Sequence, residues 1–311
     1  MVDSFGRKID YLRMSLTGRC QQRCTYCARE SGGKCVKDSE LSAEDFIFTA
    51  SVFASLGFRK IRLTGGEPLL RRDILQIIKG ISETGVYEDT ALTTNGLELA
   101  KLCLPMKEAG LKRINISLDS TDPEIYKKIT GADLAPVLEG LYKAIEVFDK
   151  VKINAVLLKN INSNPDGLFK IAENYPVTVR FIELMPMGGK GRGVTADEIL
   201  ARYPELRPLQ GGDEHSPERL YTAVGYKGKI GFISPVSRSF CSGCNRMRLT
   251  WDGKLRPCLG DELEIDAAEA IIKKDSEALT SLIEKAIEMK PEKNSFGTDF
   301  NAVRPMNAIG G

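Results

Sequence analysis

Short β-rich runs alternate with helical stretches along the first two-thirds of the chain, and that rhythm decides the fold class. The runs are DYLRMSL, KIRLTGG, TALTTNG, KRINISLD, VKINAVLL and VTVRFIELM, all between residues 10 and 185. Between the first two lies LSAEDFIFTASVFASLG, where Ser42 can cap a helix and Leu41 and Phe46 stand at staple spacing. Phe46, Ala50 and Phe53 fall on one helical face, and Gly57 suits the C-terminal stop. Periodicity predicts further helices over 73–84, 97–109, 134–149 and 165–174. Six strands with helical crossovers imply an α/β fold with a parallel sheet. Polar residues recur at the strand C-termini, which favours a partial, incomplete β/α barrel of about six units over a flat open sheet.

Residues 187–217 are rich in Gly and Pro and read as a linker between a barrel over 1–186 and a C-terminal region over 218–311. That region holds two short strands (RLYTAVGY and GKIGFISPV), a second cysteine group, an amphipathic helix over about 266–288 and a polar tail.

Four of the strands carry a cation between apolar neighbours: Arg13, Arg62, Lys152 and Arg180. Strands of a parallel sheet are covered on both faces and normally read as apolar runs. A cation alternating with apolar residues points to the opposite face from them. If that face is the lumen, four positive charges converge on one cavity, and burying them unpaired would be prohibitive. A polyanionic ligand would resolve this; snorkelling at strand ends or pairing with a glutamate is the bland alternative.

Elsewhere the charge is balanced. Forty-four basic against 42 acidic residues give +2, which argues for neither nucleic acid nor a membrane surface as partner. No apolar run reaches membrane-spanning length and the N-terminus lacks a signal-peptide core, so a soluble, cytoplasmic protein is expected. In a reducing compartment its eight cysteines suit metal better than disulfides. Cys20, Cys24 and Cys27 form one group; Cys241, Cys244 and Cys258 form the other. Cys35 and Cys103 read as spectators, a loop thiol and a small helix-face residue. A structural zinc wants four ligands, and His215, the sole histidine, could complete one such site at most. His215 itself falls in the Gly/Pro-rich segment and is expected to be solvent-exposed. A [4Fe–4S] cluster on three thiolates keeps one iron open for a small molecule.

The C-x-x-x-C-x-x-C run with Tyr26 before its last cysteine resembles the signature of the radical S-adenosylmethionine superfamily. LTGGEPLLRR, residues 63–72, resembles that superfamily's GGEP element; Gly65 and Gly66 permit close backbone approach and Pro68 fixes the turn. FCSGCNRMRLTWDGKLRPCL, residues 240–259, resembles the second cluster-binding segment of the GTP 3′,8-cyclases of molybdenum-cofactor biosynthesis. DYLRMSLTGRC, LTTNG, RINISLD, VKINAV, VRFIELMP and a terminal Gly-Gly extend the likeness over nearly the whole chain.

The resemblance implies two [4Fe–4S] clusters, on Cys20, Cys24 and Cys27 and on Cys241, Cys244 and Cys258. It implies S-adenosylmethionine contacts at Tyr26, Gly66, Ser117 and Met185. It implies GTP contacts at Arg13, Arg62, Thr93, Lys152, Arg180, Arg246 and Arg248, with the open iron of the second cluster meeting guanine. The implied reaction is hydrogen abstraction from ribose C3′ by a 5′-deoxyadenosyl radical and attack of C3′ on guanine C8, giving 3′,8-cyclo-7,8-dihydro-GTP. No side chain need act as acid or base. Gly310 and Gly311 would reach into the active site. An external low-potential reductant and a downstream cyclic pyranopterin monophosphate synthase are implied partners, and a homodimer is compatible.

Another radical enzyme with an auxiliary cluster, such as a peptide-modifying maturase, is the alternative, and a non-catalytic electron-transfer protein is a remoter one. Arg246, Arg248 and the Gly-Gly terminus oppose the maturase. The chain departs from the family at ARE after Cys27, at KITGADLA, at Trp251 and in a short linker.

Overall fold

A computed structural model describes residues 1–27, 40–187, 192–210, 215–296 and 304–310. The expectations for Cys35 and Gly311 lie outside the described residues.

The six expected strands are present as β1 (Tyr11–Ser15), β2 (Lys60–Thr64), β3 (Asp89–Thr94), β4 (Arg113–Ser117), β5 (Val151–Val156) and β6 (Thr178–Ile182). They lie side by side in chain order, all parallel. The helix α1 (Ala43–Ser55) starts at Ser42, whose side chain forms a capping box with Asp45. It ends at Gly57, with φ +89°; there Phe58 N–H donates to the Phe53 carbonyl at 3.1 Å and Gly57 N–H to that of Ala54 at 3.1 Å. The flanking rings of Phe53 and Phe58 meet edge to face at 4.7 Å, the apolar contact that accompanies such a stop. The helices α2 (Ile74–Glu83) and α3 (Leu99–Glu108) fall where periodicity predicts them. Cys103 is fully buried on α3, as a small apolar residue would be. The next helix, α4 (Pro123–Thr130), has no counterpart in the sequence reading, although Asp122 caps it and Pro123 opens it. The helices α5 (Ala135–Val147) and α6 (Asp166–Asn174) complete the crossovers as predicted.

After residue 187 come α7 (Ala196–Arg202), capped by Thr195, then β7 (Arg207–Pro208), β8 (Glu218–Thr222) and β9 (Lys229–Ile233). They are followed by β10 (Arg246–Leu249), β11 (Lys254–Arg256) and β12 (Ile265–Asp266). The sheet order is β12-β11-β10-β1-β2-β3-β4-β5-β6-β9-β8-β7. Two of the later strands, β9 and β10, run parallel to β6 and β1, so eight parallel strands sit between antiparallel edges. The helix expected over about 266–288 is two, α8 (Ala268–Ile272) and α9 (Ser276–Glu288). The break falls at Lys274, in the left-handed region at φ +55°, and at Asp275, which caps α9. A last turn, α10 (Met306–Ile309), precedes Gly310.

The outer face of the sheet packs under the helices. Leu12, Met14, Ile61, Leu63, Leu92 and Ile153 are fully buried there. The inner face holds the polar and charged alternates. Among the described residues no helix is long and apolar enough to cross a membrane.

Candidate functional site

Register brings the inner-face cations together. Arg13 stands opposite Arg62 on one side and Arg248 on the other. One row of guanidiniums therefore crosses three adjacent strands, with Arg246 opposite Tyr11 two positions earlier. Across the sheet, Lys152 on β5 and Arg180 on β6 face the same space. Side chains from β1 and β10, and from β6 and β8, line one cavity of about 1410 Å³, so the sheet curls around it as a partial barrel. That volume exceeds the roughly 300–1,000 Å³ of a one-ligand pocket.

The cations are heavily desolvated. Burial first, then Arg248 and Arg62, drive the Arg13 pKa well below its ordinary value. Burial lowers Arg62 to about 10, with Arg113, Arg180 and Arg246 adding repulsion. Arg62 lies over the Tyr11 ring at 5.6 Å, and its Nε has no hydrogen-bond acceptor among the described residues. Arg246 stacks on Phe240 at 5.0 Å.

Of the two ways to satisfy the four strand cations, pairing with a glutamate holds for Lys152 and Arg180. Glu218 accepts from Lys152 Nζ at 2.5 Å and from Arg180 Nη1 at 3.3 Å. One carboxylate shared by two cations offsets about one of them. Glu218 is held below the ordinary carboxylate range: burial raises its pKa, but Arg180 and Lys152 outweigh it. Lys152 is still lowered to about 8 by burial and by Arg180. The expectation for His215 needs correction. It is half-buried, lines the cavity and has Nδ1 3.2 Å from the Gly243 carbonyl, instead of facing solvent.

The two cysteine groups lie at opposite mouths of the barrel. Cys20, Cys24 and Cys27 follow the C-terminal end of β1. Cys241 and Cys244 precede the N-terminal end of β10, which is parallel to β1, and Cys258 follows antiparallel β11 to the same end. A five-residue strand separates its ends by roughly 16 Å. The cavity touches Cys241, Cys244 and Cys258 directly.

At the first mouth Cys24 is raised by burial and by Asp119, Cys27 and Cys20, and burial with Cys20 pushes Cys27 up to about 12. Three neighbouring, half-buried thiols that disfavour joint ionisation suit a cationic cluster that takes them as thiolates. No three His, Cys, Asp or Glu side chains among the described residues converge on a single-ion site. The thiolates of a cubane each bind a different iron, so they need not converge on a point. At the second mouth Asn294 donates to Cys241 Sγ through N–H at 3.4 Å and through Nδ2 at 3.2 Å. Lys290, 2 % exposed, spans the Arg246 and Pro257 carbonyls at 2.8 and 2.5 Å. Burial alone would raise Cys244, but Lys290 and Arg246 bring it below its ordinary value. Arg7 fixes the same loop by donating to the Cys241 carbonyl at 2.9 Å.

Close approach at the glycines is to protein backbone. A Cβ on Gly66 would lie 2.2 Å from the Arg19 carbonyl oxygen, and Gly66 N–H donates to the Thr17 carbonyl at 2.7 Å. The GGEP turn is thereby fused to the loop leading into Cys20. Its Glu67, fully buried, accepts from Leu69 N–H, Thr94 Oγ1 and Asn95 N–H at 2.9, 2.8 and 2.7 Å; burial raises it to about 7. Tyr26 Oη donates to Asp119 at 2.6 Å, and burial raises Asp119 to about 6. Neither acid was singled out from sequence, although each sits in a motif at a strand's C-terminal end. Ser117 ends β4 opposite Asn154, and Met185 lines the cavity and packs with Met187, Phe296 and Ile309. Thr93, on the inner face, accepts from Asn115 Nδ2 at 3.5 Å and is not among the cavity-lining residues.

The tail enters the barrel. Arg304 clasps Asp252 through both terminal nitrogens at 3.1 and 2.9 Å, and Gly310 is buried with its carbonyl accepting from Arg248 Nη1 at 2.5 Å.

Comparison with known proteins is consistent with this geometry. Residues 14–170 match the family model described as Radical SAM superfamily, and residues 177–296 the one described as Molybdenum Cofactor Synthesis C. A GTP 3′,8-cyclase of Alkaliphilus metalliredigens (strain QYMF) is 41 % identical over 322 residues, covering 100 % of both chains. Another, of Alkaliphilus oremlandii (strain OhILAs), is 40 % identical over 323 residues with the same coverage. SuiB of Streptococcus suis, solved bound to S-adenosylmethionine, aligns with a TM-score of 0.59 at 16 % identity, over 84 % of this chain and 64 % of SuiB. That last likeness is one of fold alone.

Proposed function

The chain belongs to the GTP 3′,8-cyclase family within the radical S-adenosylmethionine superfamily, and on that premise we propose that it converts GTP to 3′,8-cyclo-7,8-dihydro-GTP, joining ribose C3′ to guanine C8. Full-length identity to named cyclases favours this over a peptide-modifying maturase. The observation that carries it is the in-register row of Arg248, Arg13 and Arg62 in a cavity lined by Cys241, Cys244 and Cys258.

Cys20, Cys24 and Cys27 would hold the first [4Fe–4S] cluster, with Tyr26, Gly66, Ser117 and Met185 around the cofactor. When bound, that cluster and S-adenosylmethionine supply a 5′-deoxyadenosyl radical. Cys241, Cys244 and Cys258 would hold a second cluster beside guanine. Arg13, Arg62, Lys152, Arg180, Arg246 and Arg248, with Thr93 as a neutral contact, would bind the nucleotide. Forked guanidiniums suit phosphate oxygens and Lys152 adds a compact charge. Holding both reacting carbons on one bound molecule makes ring closure intramolecular. Gly310 and the residue after it would close the space beside Arg248 and exclude water. Residues 1–186 and 218–311, joined by 187–217, would divide the work between cofactor cleavage and substrate positioning. A low-potential reductant would supply electrons, and cyclic pyranopterin monophosphate synthase would take the product.

Anaerobic reconstitution tests the reading. About eight irons per chain, 5′-deoxyadenosine release and cyclised product only with GTP are expected. Four irons, or cofactor cleavage that never yields cyclised nucleotide, would refute it.

A further inference from the structure

Two lumen cations are held by an acid of the chain's own. Glu218 opens β8, its side chain 7 % exposed, with one oxygen on Lys152 and the other on Arg180. Space for the encounter comes from Gly231 on β9, opposite Arg180. A Cβ there would sit 3.1 Å from Arg180 Cγ and 3.8 Å from Glu218 Cβ.

Another acid–base pair of the lumen is built differently. Arg113 grips Asp89 with two parallel hydrogen bonds, 2.6 and 2.5 Å, the strong bidentate form. Glu218 instead splits its oxygens between two cations and is bidentate to neither. That is the arrangement a phosphate group with several oxygens could take over. Without an anion there, Lys152 and Arg180, side by side on adjacent strands, would repel each other in a poorly solvated space at high cost. With a triphosphate there, the carboxylate would be the repelled party. The rest of β8, 219–222, is only half-buried, so the strand that carries Glu218 is not locked into a core.

Resting on the nucleotide-binding reading above, we propose that Glu218 is an internal stand-in for a phosphate: it holds Lys152 and Arg180 while the cavity lacks nucleotide, yields them to the triphosphate, and thereby sets how affinity scales with phosphate number. Glu218 is a specificity-determining residue in this account and takes no part in the chemistry.

The test is binding of GTP, GDP and guanosine to reconstituted, anaerobic wild-type protein, Glu218→Gln and Glu218→Asp. Glu218→Gln should bind GTP at least about tenfold more tightly, GDP by a smaller factor, and guanosine as wild type does. Glu218→Asp, too short to reach both cations, should fall between, and it carries the test alone if the glutamine variant does not fold. A purely structural role would shift all three ligands together, and a direct contact to nucleotide would weaken GTP; either result overturns the inference while leaving the cyclase reading standing. Absence of GTP binding in wild type and variants alike overturns both.

Discussion

Arg248 Nη1 and the Gly310 carbonyl oxygen lie 2.5 Å apart, tying the strand beside β1 to the inserted tail. Gly310 has φ +73°, and a Cβ on it would lie 2.6 Å from Thr64 Cγ2 and 3.0 Å from Ser15 Cβ. Gly310→Ala therefore combines backbone strain with a clash, about 1–3 kcal/mol. We expect cyclised product to fall about ten- to hundredfold with iron content and S-adenosylmethionine binding unchanged. Removal of Gly310 and Gly311 should abolish product altogether; a truncated enzyme with normal turnover would contradict the role given to the tail.

Gly66→Ala should act on the fold of the cofactor loop. Its added methyl would meet the carbonyl of Arg19 at 2.2 Å, and backbone lies on both sides of the contact. Destabilisation of about 1–3 kcal/mol is expected, together with lost S-adenosylmethionine binding. Thermal melting and equilibrium dialysis read the two effects, and an unchanged melting temperature would count against the close packing.

Lys152 gives the nucleotide site a pH dependence. Burial and Arg180 lower its pKa from 10.5 to about 8, so between those values the unfolded chain binds more protons than the folded one. Its contribution therefore makes the ligand-free fold more stable as pH rises through that window. Phosphate binding needs the ammonium, so GTP affinity should fall as pH climbs past about 8. Lys152→Arg should flatten this fall, whereas Lys152→Ala should weaken GTP binding at every pH. Unaltered affinity in Lys152→Ala would remove this residue from the site.

Cysteine variants separate the two mouths. Cys24→Ala should stop 5′-deoxyadenosine formation. Cys244→Ala should keep cofactor cleavage, lose about four irons and form no cyclised nucleotide. Wild-type iron content in Cys244→Ala would exclude a cluster there.

Much of the barrel could be read from sequence because its determinants are local. Ser42, Gly57 and the apolar stripe of α1 act within one helix, and alternation in Arg13 or Arg62 reports the side-chain face of one strand. The common inner face of Arg13, Arg62, Lys152 and Arg180 followed from the same alternation, whereas Arg248 came only from the family resemblance. What escaped reading depends on partners distant in the chain. RMRL between the later cysteines is too short to announce a strand, and β10 owes its place to pairing with β1. Asn245 secures that pairing by donating to Asp10 Oδ1 at 2.7 Å, a contact invisible in either segment alone. Glu218 belongs to no local motif, and only the approach of β8 to β5 and β6 gives it two cations. His215 was misjudged for the same reason: a Gly/Pro-rich sequence says nothing of what it folds against.

The pairing of β1 with β10 also bears on how the molecule comes into being. One of the first strands to leave the ribosome must wait for one of the last before its edge is covered, and such distant pairing slows folding. Until then the nascent sheet presents an open border to other chains. Assembly of the guanidinium row is thus coupled to the end of synthesis, and a chain stalled before residue 246 would possess the cofactor loop without the chamber it serves.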